Sequence, residues 1–176
     1  MKTRWRSIVV LLAIGLLLDG CLGGPVNKLC CYPRSQFGGT AWRIMQDADQ
    51  VEVYRLQPVD FQRKGNFAKL PFFGAEVDGP AIVPPQAWVD RLRAEINTST
   101  HYEWYLQTAC LPSPGVAVRF RRGDETADFL ICFQCGMVSL APTGQHELRN
   151  WSLLRTNAYL LDLMRELMPK DPALNR

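Results

Sequence analysis

The chain has only two histidines, His101 and His146, and they are far apart in sequence. It also lacks a nucleophile elbow, a phosphate-binding loop and an HExxH zinc motif. The sequence therefore indicates none of the reaction classes that are recognised by these short motifs, although catalytic groups can also converge from distant segments. We therefore assign no catalytic residue, and a non-enzymatic role is the favoured interpretation.

The chain also lacks a hydrophobic run long enough to cross a membrane. Its N-terminal apolar run covers residues 8–18, which is eleven residues, whereas a spanning helix needs about 20. Lys2, Arg4 and Arg6 precede this run. A short apolar run behind a positively charged start is typical of a signal peptide, so residues 1–20 are predicted to direct export.

Leu18, Asp19, Gly20 and Cys21 follow the apolar run. The aliphatic residue three positions before the cysteine and the glycine directly before it resemble the lipobox of bacterial lipoproteins. The resemblance implies that Cys21 becomes the mature N-terminus and carries acyl chains on its sulfur and its amino group. Two or more chains anchor a protein stably, because each buried CH₂ contributes about 0.8 kcal/mol. Leu22 stands where an inner-membrane retention signal would place aspartate, so the resemblance implies the outer membrane.

Removal of residues 1–20 takes away three basic side chains and one acidic side chain, which leaves a net charge of +1. Such a balance predicts no nucleic-acid partner. The expected partners are the membrane, through the N-terminal lipid, and an envelope protein in the periplasm. Residues 21–46 are rich in Gly, Pro and polar side chains and predict a tether. Residues 47–170 are expected to form a single α+β domain, and residues 171–176 a polar tail that frays.

Alternation and helical spacing predict the elements of this domain. Residues 50–57 alternate as in a strand, and residues 75–83 predict a second strand broken by Gly79 and Pro80. Helices are expected over residues 84–97, 99–107 and 147–168. The predicted fold is α+β: a mainly antiparallel sheet of four or five strands, with two to three helices packed on one face.

The clearest strand pair is a hairpin built around Gly123 and Asp124. Apolar residues alternate before this turn, and the mostly apolar run ADFLICF follows it. Pairing that is symmetric about the turn places Cys132 opposite Gly115, and Cys135 opposite Pro112. Cys110, Cys132 and Cys135 are therefore expected to meet at the open end of the hairpin.

Four interpretations of these cysteines stay open. Cys110 could form a structural disulfide with Cys135 or Cys132, worth about 3 kcal/mol for a loop of about 20 residues. Cys132 and Cys135 form a CxxC motif, but a thioredoxin-like pair needs a following helix, and the strand-like MVSL follows instead. The three thiolates could bind zinc with His146 or His101 as the fourth ligand. Unpaired cysteines would pack as small apolar side chains.

Cys30 and Cys31 lie in the predicted tether. Adjacent cysteines rarely bond to each other because of the geometry of the bond. Either of them is therefore a candidate for a disulfide that pins the tether to the domain. Five cysteines remain after Cys21, so at least one is unpaired within the chain.

The segment from Cys110 through Pro114 and Gly115 to Cys135 is similar to a group of bacterial exported proteins without an established activity. They share a cysteine, a Pro-Gly hairpin start and a strand that ends in CFxC. The resemblance covers about 30 residues and implies an exported α+β domain, with no catalytic residue carried over.

Together these patterns predict a lipid-anchored protein of the bacterial cell envelope that works as a non-enzymatic binding or scaffolding module. No cofactor is expected under this hypothesis. The alternative is a thiol-redox or zinc-dependent activity at Cys110, Cys132 and Cys135.

Overall fold

The computed structural model describes residues 34–59, 61, 69–103, 110–147, 151–155, 157–172, 174 and 175. They belong to one compact unit, Pro33–Arg176. The predicted signal peptide, Cys21, Cys30 and Cys31 lie outside the described residues, and what we expect of them stays a prediction. Among the described helices, none has the length and apolar character to cross a membrane.

The described residues form a sheet of six strands, which are β1 Gln50–Arg55, β2 Tyr102–Glu103, β3 Val116–Arg122, β4 Glu125–Cys132, β5 Met137–Pro142 and β6 Trp151–Leu154. The sheet is antiparallel, with the strand order β1-β3-β4-β5-β6-β2. The predicted α+β class and antiparallel sheet are confirmed, with six strands rather than four or five. The additional strands are the short β2 and β6, which pair with each other.

The β3–β4 hairpin has the predicted symmetric register, from Arg122 opposite Glu125 at the turn to Val116 opposite Ile131 at the open end. Gly123 occupies the turn with φ 56°, where glycine has no Cβ penalty. The predicted continuation of this register to Cys135 is wrong. β4 ends at Cys132, and residues 133–136 form the turn that leads into β5.

Three helices of the described part pack on one face of the sheet: α1 Gly39–Gln46, α2 Gln86–Asn97 and α3 Ala158–Leu167. Helices on one face were predicted, but α1 is not among the expected ones. Their apolar sides share one core with the alternate strand residues of that face. Helix α2 begins directly after Pro85, as the sequence predicts, and the Trp88 Nε1 atom donates to the Leu163 carbonyl oxygen at 2.8 Å. This bond ties α2 to α3.

Two helix predictions are wrong. The expected helix over residues 99–107 is a 3-10 turn, Ser99–His101, followed by strand β2, and residues 104–109 lie outside the described part. The expected helix over residues 147–168 begins only at Ala158, and Trp151–Leu154 is strand β6. Leu153 of β6 pairs with Met137. Pairing with the neighbouring strand therefore determines the structure of these residues, although their apolar side chains have helical spacing.

The assignment of residues 21–46 to a tether is wrong at its C-terminal end. Phe37, Ala41, Ile44 and Met45 are all buried in the core under the helices. Their spacing is helical, but α1 has only eight residues, so its apolar side is too short to stand out among glycines and polar residues. The folded domain therefore begins before residue 47.

The opposite face of the sheet is covered by a chain segment without long regular structure, which we call the strap (residues 69–77). Phe72 and Phe73 of the strap are buried against this face. Both have left-handed backbone angles, with φ 52° and 57°, and such angles cost about 1–2 kcal/mol per residue. Their buried rings offset this strain. The predicted second strand reduces to two isolated bridges: Ile82 pairs with Val53 of β1, and Val77 pairs with Leu56, the residue after β1.

We expect the substitution Ile44→Ala to lower the free energy of unfolding by about 3 kcal/mol, because it opens a cavity under α1. Urea denaturation of the full chain measures this change. Arg43→Ala, on the exposed side of the same helix, is the control and should cost less than about 1 kcal/mol. If both substitutions had equally small effects, α1 would not be packed in the core and would belong to the tether.

Candidate functional site

A disulfide joins Cys110 to Cys135, with 6.0 Å between the Cα atoms and a sequence separation of 25 residues. Of the two pairings that the sequence left open, the structure contains this one. Cys132 is a free thiol and is fully buried in the core under the strap. Cys110 and Cys135 therefore form a structural crosslink, and Cys132 packs as a small apolar side chain.

This arrangement does not contain the thioredoxin-like pair. Cys135 is bonded to Cys110 rather than to Cys132, and strand β5 follows the CxxC motif where a redox motif needs a helix.

The predicted zinc ligands are also held by other partners. The Nδ1 atom of His146 lies 3.0 Å from Ser139 Oγ, and the Nδ1 atom of His101 lies 3.0 Å from Glu95 Oε2. Among the residues that the structure describes, no group of three His, Cys, Asp or Glu side chains is placed to hold a metal ion.

A cleft of about 670 Å³ opens at the end of the sheet where the disulfide lies. Its volume falls within the range of about 300–1,000 Å³ that is usual for small-ligand sites. We call it the tail cleft, because residues near the C-terminus form one of its walls. The lining residues are Arg55, Leu56, Pro58, Ser113, Pro114, Gly115, Phe133, Gln134, Asn157, Leu161, Asp171 and Leu174.

The disulfide fixes two of the walls of the tail cleft. Cys110 leads into the wall at residues 113–115, and Cys135 closes the turn that carries Phe133 and Gln134. The crosslink holds these two segments together although the chain between them forms the whole β3–β4 hairpin. The disulfide therefore adds a covalent tie between two segments that line the cleft, beside the hydrogen bond from the Gly115 amide to the Ile131 carbonyl oxygen.

The tail cleft combines an apolar floor with amide side chains. Leu56 and Leu174 are buried, and Phe133 and Leu161 pack partly against the main core. Asn157, the residue before α3, donates from Nδ2 to the Phe133 carbonyl oxygen at 3.4 Å. Apolar walls with a few placed polar groups are the usual construction of a binding site.

Arg55 is the cationic group of the tail cleft, and two carboxylates hold it. Its Nε atom lies 2.8 Å from Asp171 Oδ2, and its Nη1 atom lies 3.1 Å from Asp78 Oδ2. The Asp171 side chain is only 5% exposed, whereas that of Asp78 is 40% exposed. The first pair is therefore buried on its carboxylate side only, and the second lies at the surface.

The predicted fraying of residues 171–176 is wrong for the described part of this segment. Asp171 and Leu174 are buried. The Arg165 Nε atom donates to the Leu174 carbonyl oxygen at 2.8 Å, and the Asn175 Nδ2 atom donates to the Asp171 carbonyl oxygen at 2.7 Å. The polar composition of this segment gives no sign of these contacts. The sequence therefore predicts a frayed tail where the structure has a wall of the cleft.

A second polar cluster lies under the strap. Arg119 binds Asp128 with two hydrogen bonds, of 2.7 and 3.0 Å, and Asp128 is fully buried. The Arg119 guanidinium also lies over the ring of Phe72, 4.3 Å from its centroid. The predicted hairpin register already placed Arg119 opposite Asp128. Opposite charges at paired positions of a hairpin are therefore the sequence signal for this ion pair.

Ser139 and His146 lie on the same side of the sheet as this ion pair and are fully buried. Burial lowers the pKa of His146 from its ordinary value of 6.5 to about 4, although the nearby Asp128 raises it. The residue types match those of a hydrolase triad. However, Arg119 holds Asp128, and a substrate has no access to Ser139. The cluster is therefore part of the interior.

We expect loss of the disulfide to lower the free energy of unfolding by about 3 kcal/mol, because the crosslink restricts the unfolded chain. Urea denaturation of Cys135→Ser and of the wild type, each with and without reductant, measures this effect. Reductant should destabilise the wild type and leave the variant unchanged. If reductant left the free energy of unfolding of the wild type unchanged, the stabilising role of the Cys110–Cys135 disulfide would be contradicted.

We expect His146 to make the protein sensitive to acid. Because its pKa is lower in the folded state, the unfolded chain binds the extra proton between pH 6.5 and about 4. The stabilisation is complete above pH 6.5 and decreases as the pH falls, by about 3 kcal/mol in total. Denaturation of the wild type and of His146→Leu at pH 7 and pH 4 tests this, since other titrating groups act in both proteins. Identical pH dependence in the two proteins would exclude the proposed titration.

Comparisons with protein-family models, with curated proteins and with solved structures found no match. The function therefore has to follow from the chemistry of the residues themselves.

Proposed function

We propose that this protein is an exported, lipid-anchored component of the bacterial cell envelope that acts as a non-enzymatic binding module. The tail cleft is its ligand site. The observation that carries this proposal is the Cys110–Cys135 disulfide, which fixes two walls of the cleft. A site with crosslinked walls suits a compartment in which disulfides are stable.

The compartment and the anchor are supported by two independent features. Disulfides persist in the periplasm and outside the cell and are rare in the cytosol. The N-terminal segment combines a positively charged start, a short apolar run and the lipobox-like Leu18 to Cys21. A lipid on Cys21 would place the domain at the outer membrane, facing the periplasm.

The lining of the tail cleft supports binding rather than catalysis. Its described residues include no histidine or cysteine, and its one serine, Ser113, accepts a hydrogen bond from the Val59 amide at 2.9 Å. Arg55 and Asp171 neutralise each other within the wall. This set offers shape, apolar contact and hydrogen bonds, but no pair of nucleophile and base.

We expect Cys21→Ser to abolish acylation and to release the protein from the membrane fraction, because the serine cannot carry the thioether-linked lipid. Expression in a Gram-negative host, membrane fractionation and intact-mass measurement test this. The matched control is Cys30→Ser, which removes a nearby thiol and should leave both properties unchanged. Continued membrane retention of an unacylated Cys21→Ser protein would disprove the anchor.

A further inference from the structure

We propose that the strap is an acid-sensitive cover, and that protonation of His146 releases it from the sheet while strands β3, β4 and β5 stay paired. The release involves the strap and the loop after β5 (residues 143–147), which carries His146. It does not depend on any ligand of the tail cleft. It also goes beyond the acid sensitivity of the whole domain, because it assigns the entry of the proton to the movement of one segment.

His146 is connected to the strap through a short chain of contacts. Its Nδ1 atom lies 3.0 Å from Ser139 Oγ, and Ser139 pairs with Trp151 across β5 and β6. Residues paired in this way have neighbouring side chains on one face of a sheet. The Trp151 ring meets the Phe73 ring of the strap edge-on, with 5.6 Å between the ring centroids. The strap therefore packs against the neighbour of the Ser139–His146 pair.

The strap also approaches the loop that carries His146. A Cβ atom on Gly144 would lie 3.3 Å from the Lys69 carbonyl oxygen, which is tighter than an ordinary van der Waals contact. The loop itself is fixed to the sheet, because the Thr143 amide donates to the Thr126 carbonyl oxygen at 3.1 Å. Movement of the strap away from this loop is therefore the shorter route by which water reaches His146.

The strap is attached to the sheet in a way that allows such a movement. Within it, the Phe73 amide donates to the Leu70 carbonyl oxygen at 3.2 Å. At its C-terminal end, the Glu76 carbonyl oxygen accepts a hydrogen bond from the Gln57 amide at 2.8 Å. The part before Glu76 packs on the sheet through the buried rings of Phe72 and Phe73. Glu76 is therefore the expected pivot.

The closed position of the strap carries unfavourable contributions that opening relieves. Phe72 and Phe73 have φ angles of 52° and 57°, which are strained for residues with a side chain. The Nε2 atom of His146 and the Nε1 atom of Trp151 are buried and have no hydrogen-bond partner within the described part of the chain. Water satisfies both atoms once the strap lifts. Burial of the two phenylalanine rings opposes these contributions, so a charge beneath the strap can shift the balance.

The surroundings of His146 do not stabilise its charged form while the strap is closed. Burial lowers the pKa of His146 from 6.5 to about 4, although Asp128 of β4 raises it, and Arg119 of β3 lowers it further. Asp128 is already held by Arg119 through two hydrogen bonds. Strands β5 and β6 contain no charged residue. The charged residues of the strap and of the loop have exposed side chains: Lys69, Glu76 and Glu147.

The two pKa values determine the direction and the size of the effect. The pKa of His146 is about 4 under the closed strap, and a hydrated His146 under the open strap has the ordinary value of 6.5. The open state therefore binds the proton more tightly, and opening becomes more favourable as the pH falls from 6.5 towards 4. Between pH 7 and pH 5 the ratio of open to closed strap should rise about 20-fold.

Hydrogen exchange of the full chain in detergent micelles measures this opening. Mass spectrometry at pH 7 and pH 5, corrected for the pH dependence of intrinsic exchange, follows peptides that contain the Phe73 and Ala75 amides. These amides should be less protected than those of β4 at both pH values, and their opening ratio should increase about 20-fold. If that ratio stayed constant while the exchange of β4 increased, His146 would meet water only on global unfolding, and the proposal would be overturned.

A variant without the imidazole assigns the effect to His146. His146→Leu should lose the 20-fold increase in the opening of the strap between pH 7 and pH 5. A full increase in this variant would assign the effect to another titrating group and refute the role of His146.

Two variants of the strap give a measurement that keeps His146 in place. The chain has only two histidines, so NMR titration of their ring protons follows each one, and His101→Gln identifies the signal of His101. Phe73→Ala removes a ring that holds the strap and should raise the pKa of His146 towards 6.5. Leu70→Ala, at an exposed position of the same strap, is the matched control and should leave it unchanged. An unchanged pKa of His146 in folded Phe73→Ala would show that the strap does not control its access to water.

Discussion

The structure depends on one constraint: strand β4 is buried on both of its faces. Its residues alternate between the core under the helices, which takes Phe129 and Ile131, and the core under the strap, which takes Leu130 and Cys132. β3 and β5 pair with β4 on its two sides. A fold that buries both faces of β4 must cover both faces of the sheet, and the remaining elements are arranged to do so.

The two covers differ in their physical basis. Three helices satisfy their own backbone groups and bring apolar sides to the sheet, so their burial needs no strained geometry. The strap instead relies on Phe72 and Phe73, whose rings are buried on this face; Phe72 lies over the Arg119 guanidinium and Phe73 packs against Trp151. A buried ion pair loses hydration, and the two hydrogen bonds between Arg119 and Asp128 offset part of that cost.

The parts that could be predicted from the sequence are those with a strong local signal. The β3–β4 register follows from alternation and a Gly-containing turn. Its extension to Cys135 is wrong, although Cys135 does lie beside Cys110, in the turn after β4. Helix α2 follows from proline at its start and helical apolar spacing. The structure confirms these features because local preference and tertiary packing agree there.

The wrong predictions concern short elements and distant partners. Trp151–Leu154 has only four residues, which is too few to distinguish a strand from a helix by spacing. Helix α1 and the tail around Asp171 contribute to the domain through partners far away in sequence. The tail cleft is the extreme case, since its lining runs from Arg55 to Leu174, and no local pattern connects these positions.

The fixed tail has a practical consequence for the C-terminus. Leu174 forms part of the cleft wall, and its carbonyl oxygen is held by Arg165. Any sequence fused to this end therefore leaves the domain within a few residues of the cleft mouth, where its effective concentration is high, on the order of millimolar for a short linker. A C-terminal tag would therefore start beside the cleft and could obstruct it, whereas a tag elsewhere on the surface would leave the cleft open.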